Sequence, residues 1–116
     1  MNKYIIVKDS DGKFVMRYAN TDYHHRLVGK KDSVFGGGMF DLNAETSVMT
    51  LYGKSDDFGE PRWRDIERWN QLKKSTDKIH VSEELDGWKI RCLNGYDKEW
   101  NPIYADITDK FIFDEF

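Results

Sequence analysis

The sequence predicts an α/β (α+β) fold: a mixed β-sheet with two main helices, in the order β-β-α-β-β-α-β-β. Three observations predict it. Short runs of β-branched and aromatic residues recur between clusters of turn formers. A long stretch after Pro61 switches to three-residue apolar spacing, the mark of a helix face. A shorter stretch after Asn20 opens on residues that cap helices. At 116 residues the chain fits a single domain spanning residues 1–116, and its 39% hydrophobic and 15% aromatic content supplies a core.

The elements follow in order. Tyr4-Ile5-Ile6-Val7 and Phe14-Val15-Met16 flank Asp9-Ser10-Asp11-Gly12, so the chain opens on a β-hairpin. Asn20-Thr21-Asp22 offers N-caps for a short helix over 23–29. Residues 33–42 return to strand, interrupted by Gly36-Gly37-Gly38, and Asn43-Ala44-Glu45 turns the chain into a half-buried strand over 47–53. Residues 54–59 read as a polar loop. Pro61 suits a first helical position, where its missing N–H has no intrahelical partner. Trp63, Ile66, Trp69 and Leu72 then form one apolar face, read as core. Arg68, Lys73 and Lys74 gather towards the helix end, where cations complement the dipole. Strands follow over 78–81 and 88–93, Asn94-Gly95 marks a turn, and 103–107 and 111–113 are further strand candidates.

Composition excludes several classes of function. Net charge is −3 and the pI about 5.6. Residues 1–40 hold seven Lys/Arg against four Asp/Glu, and the remainder eleven against seventeen. No concentrated basic face is available to exchange counterions with phosphates, so no nucleic-acid partner is expected. No apolar run approaches the roughly 20 residues that cross a bilayer, so no membrane partner is expected either. Cys92 is the only cysteine, which rules out an internal disulfide and suits a reducing, cytoplasmic setting.

Taken alone, no motif specifies a reaction. Phosphate-loop, zinc and nucleophile-elbow signatures are missing. The His24-His25 pair is a poor chelate, since helical neighbours point about 100° apart, and His80 lies in a predicted strand. Neither a metal site nor a cofactor is expected. Three glycines inside a strand are unusual, because they lose packing and entropy. They fit a bulge or tight strand crossing, or close backbone approach to a ligand. The 54–59 loop, between strand and helix, could present N–H groups to an anion or simply connect the two.

These pieces fall in a distinctive order. Tyr23-His24 follows the hairpin and opens a helix, and Gly36-Gly37-Gly38 lies in the next strand. Leu51-Tyr52-Gly53, Ser55 and Phe58-Gly59 then close the strand after it. With Lys3-Tyr4 in the first strand and Arg17 in the second, residues 2–60 resemble the Janus/Ocnus family of phosphohistidine phosphatases. The resemblance implies metal-independent hydrolysis of phosphohistidine or another phosphoramidate. In it His24 is the catalytic base and Lys3 the supporting cation. Tyr23, His25, Arg17 and Gly38 surround the substrate, and the backbone at Ser55, Asp56 and Asp57 holds the phosphate. An ordinary imidazole, with a pKa of about 6.5, suits proton abstraction near neutrality. A labile P–N bond needs little beyond positioning and charge stabilisation. The partner implied is a phosphorylated protein or a small phosphoramidate.

Two departures stand out. Met39 follows the third glycine where the family's enzymes carry Arg, and Asp56 and Asp57 place carboxylates in the phosphate loop. Each exposed carboxylate opposes a dianion by about 1 kcal/mol. The alternative expectation is a non-catalytic module on the same scaffold, binding phosphate or an unidentified protein partner. A third is that His24 only packs and caps its helix.

Overall fold

The computed structural model describes residues 1–53, 63–75 and 77–114, and one eight-stranded sheet runs through them. Its strands are β1 (Asn2–Lys8), β2 (Phe14–Asn20), β3 (Ser33–Asn43), β4 (Val48–Tyr52), β5 (Ile79–Ser82), β6 (Lys89–Tyr96), β7 (Pro102–Asp106) and β8 (Phe111–Asp114). Their spatial order is β7-β6-β4-β3-β1-β2-β5-β8. The four strands around β1 and β3 pair antiparallel, as do β6 and β7. Three joints, β4–β6, β2–β5 and β5–β8, are parallel. The sheet curls into a half-barrel around α1 (Trp63–Lys74), whose Trp69 meets Tyr4 edge-on with ring centroids 6.1 Å apart.

This architecture corrects the fold class. Strand dominates, and α1 is the one α-helix among the described residues where the sequence pattern predicts two. The segment predicted as a helix over 23–29 forms a single 3-10 turn, His24–Leu27. The turn starts at Tyr23 with no side-chain cap, while Asn20 accepts from the chain's amino terminus at 2.9 Å and Thr21 Oγ1 from Tyr23 N at 3.5 Å. The His25 carbonyl accepts from Val28 N at 3.2 Å, the Gly29 amide that a helix would send to it donates instead to Asp32 Oδ2, and Val28 is already extended.

The opening hairpin forms as its residues dictate. Asp9 Oδ1 accepts from the Asp11 and Lys13 amides, both at 2.9 Å, and Gly12 takes φ +80° to close the turn. Asn94-Gly95 does not reverse the chain. Both residues lie inside β6, where the β6–β7 register shifts and Gly95 adopts φ +106°. The reversal comes at residues 97–101, because the Asp97 carboxylate accepts from Glu99 N and Asn101 N and stabilises the turn there.

Strand β1 sits mid-sheet and is buried on both faces, which explains its unbroken apolar run. Tyr4 and Ile6 point into the main core with Met16, Phe40, Leu51 and Trp69. Lys3, Ile5 and Val7 take the opposite face, partly covered by the 3-10 turn. On α1 the predicted stripe is buried at Trp69 and Leu72. The loop over 54–59, Pro61, and the side chains of Trp63, Ile66 and Arg68 lie outside the described residues. No helix among the described residues is long and apolar enough to cross a membrane.

Candidate functional site

The face of β1 and β3 beneath the 3-10 turn gathers most of the described residues that the motifs single out. Antiparallel register places Ile5 opposite both Gly37 and Arg17, and Lys3 opposite both Met39 and Ala19. Directly opposed residues share a face, so Lys3, Arg17, Gly37 and Met39 all lie on this one. The turn crosses it and sends His24 inward.

His24 is 3% exposed, and its ring fills the space that glycine leaves open. A Cβ at Gly37 would stand 3.4 Å from His24 Cδ2 and 2.9 Å from the Tyr4 carbonyl oxygen. His24 Nε2 lies 2.7 Å from the Gly38 carbonyl oxygen. A carbonyl only accepts, so Nε2 carries the proton and Nδ1 is the basic nitrogen of the neutral ring. Lys3 is 1% exposed on the same face. An ammonium so deeply buried is sustained only by polar partners.

The glycine run therefore serves close packing within the protein itself. A Cβ at Gly38 would fall 1.8 Å from the Tyr52 carbonyl oxygen, which also accepts from Tyr4 Oη at 3.1 Å. The β1–β3 register slips nearby, between Ile6 and Val7, where Phe35 bulges from the ladder and packs edge-on to Phe14.

The remaining motif residues divide. Tyr23 and His25 lie outside, stacked on each other with centroids 5.2 Å apart, and Arg26 sits over the Tyr23 ring. Successive residues of a 3-10 turn diverge by about 120°, so burying His24 turns His25 to solvent. Arg17 acts as a brace. It donates to Leu27 O and pairs with Asp32, fixing the segment that follows the turn. The Arg17 hydrogen bond, with a further one from Gly29 N, holds the Asp32 carboxyl below the usual carboxylate range. Gly38 contributes its carbonyl to His24. Ser55, Asp56 and Asp57 lie outside the described residues. Met39, opposite Lys3, leaves the face without a second cation at the position where the resemblance implies one.

Sequence reasoning missed a second polar cluster on this side of the sheet, formed by Asp41, Thr50, Tyr52, Arg91 and Tyr104. Burial, with the hydrogen bond that Tyr52 donates to Asp41, pushes the Tyr52 phenol up to about 12. The available signal was Arg91 between the apolar Ile90 and Cys92, an alternation that turns a cation to the open face of a strand. Among the described residues no group of three His, Cys, Asp or Glu side chains is placed to hold a metal ion.

The chain is thus a curled, strand-rich sheet with one described α-helix and a buried His–Lys face. No family model, no curated protein and no solved structure matches it. The likeness to the Janus/Ocnus family rests on the quoted motifs alone.

Proposed function

We propose that this chain is a phosphatase-like protein that takes a phosphohistidine or another phosphoramidate over the β1–β3 face. His24 is the general base and Lys3 the supporting cation. The observation that carries the reading is the burial of His24 and Lys3 on one sheet face from two separate elements, with Nδ1 as the basic atom. In this reading Nδ1 accepts a proton from water as its oxygen bonds to phosphorus. The P–N bond breaks, and the leaving nitrogen takes the proton that Nδ1 has just received, which returns His24 to its neutral form. The Lys3 ammonium offsets charge developing on the phosphoryl oxygens.

Positioned general-base catalysis contributes on the order of 100-fold or more. Wild type is therefore expected to release phosphate from phosphohistidine at least ~100-fold faster than His24→Ala. Equal, slow release by both proteins would end the catalytic reading.

Two observations favour a second reading, a binding module that holds a phosphorylated group without cleaving it. His24 is almost wholly enclosed, and Met39 stands opposite Lys3. Here phosphate titration should shift the amides of residues 23–25 and 37–39 saturably while no turnover is seen. Unshifted amides there would remove this reading too.

A further inference from the structure

A second site is built across β3, β4 and β6. Register aligns Asp41, Thr50, Arg91 and Asp106 in one row across the sheet. Arg91 is held at two points. Its Nε donates to Thr50 Oγ1 at 2.8 Å, and Thr50 is itself only 4% exposed. Its guanidinium lies over the Tyr104 ring, 3.7 Å from the centroid. Those contacts restrain the group's position and plane, so a ligand would cost little further ordering.

The two terminal amino groups of Arg91 have no hydrogen-bond partner among the described residues. The acids in its row are engaged elsewhere. Asp106 accepts from Thr108 and pairs with Lys89 at 3.4 Å, and Asp41 accepts from Tyr52 at 3.0 Å. Arg91 lines a cleft of about 760 Å³, with Thr50 and Tyr52 along its floor and the β3–β4 turn as its rim.

We propose that this cleft binds a small carboxylate, gripped side-on by the terminal nitrogens of Arg91. A guanidinium edge matches two coplanar oxygens, and the acidic rim selects against more heavily charged anions. Asp41 and Glu45 line the same cleft, so a phosphate dianion meets more repulsion there than a monoanion does. The site stands apart from the His24 reading, and the two can fail independently.

The test is a ¹H–¹⁵N NMR titration of the full chain with sodium acetate, and with inorganic phosphate and sodium chloride at matched ionic strength. The Arg91 Nε–H, already hydrogen-bonded, is the reporter. Acetate is expected to shift it and the amides of residues 44–46 saturably. Arg91→Lys keeps the charge but loses the fork, and Thr50→Val keeps the guanidinium but loses its anchor. Both should weaken acetate binding at least ~10-fold while preserving the β6 amide pattern. His24→Ala should leave it unchanged. The proposal is overturned if acetate shifts stay linear, if chloride reproduces them, if both variants bind like wild type, if His24→Ala abolishes binding, or if phosphate binds more tightly than acetate.

Discussion

Gly38 shows how little room separates β3 from β4. A methyl group there would overlap the Tyr52 carbonyl oxygen, which is backbone and has nowhere to go. Gly38→Ala is expected to cost about 3 kcal/mol or more by overpacking, read from urea denaturation midpoints. Gly37→Ala should cost less, since one of its two nearest contacts is the edge of the His24 ring. It should still disturb His24, visible as a changed imidazole resonance. Asp32 sets a pH dependence. Its folded pKa lies below its unfolded one, so its contribution is fully present above the ordinary carboxylate pKa. That contribution is lost as pH falls through the depressed folded value. Wild type should therefore lose more stability on acidification than Asp32→Asn, and matching acid profiles would rule out the Arg17–Asp32 brace.

At the scale of elements, two turns make opposite demands on their residues. Gly12 sits at φ +80° with open space around it, so Gly12→Ala should destabilise by about 1 kcal/mol through backbone strain alone. Trp100 adopts φ +65° while 80% exposed, a strained conformation with little burial to offset it. Trp100→Gly should stabilise the β6–β7 hairpin by about 1 kcal/mol, less whatever its contact with Tyr96 contributes. An unchanged or lowered denaturation midpoint would show that this contact outweighs the strain. The same hairpin explains a misread boundary. Asn94-Gly95 and 97–101 both carry turn formers, and local chemistry ranks the first higher. The Asp97 carboxylate, bonded to two amides, decides for the second.

Across the whole molecule, β1 is the hub, flanked by β2 and β3 and buried on both faces. Cys92 lies on the far side of the core, fully enclosed, and burial pushes its thiol pKa up. A thiol reagent should modify it only through opening of the core, at a rate that rises with urea as global unfolding does. Fast labelling of the native protein would place a local opening at β6. The sheet also brings together Asp41, Thr50, Arg91 and Tyr104, which are distant in sequence. No periodicity or short motif joins them, so the cleft was illegible before the strand order was known. His24 and Lys3 were legible only as members of a motif order. Their shared face follows from the β1–β3 register.

By itself, the sequence determined what neighbours along the chain can settle. The opening hairpin follows from Asp9 and Gly12, the run of β1 from its apolar residues, and the α1 face from Trp69 and Leu72 at helical spacing. Tertiary structure alone decided the fold class and the inward histidine. A capping-rich segment became a single turn because the Gly29 amide, which a helix would bond to the His25 carbonyl, went to the Asp32 carboxylate that Arg17 holds. His24 rather than His25 turned inward because a glycine strand lay beneath it with room for one ring. Local propensities amount to a few tenths of a kcal/mol to about 1 kcal/mol per residue, and burial or a bond across the fold outweighs them.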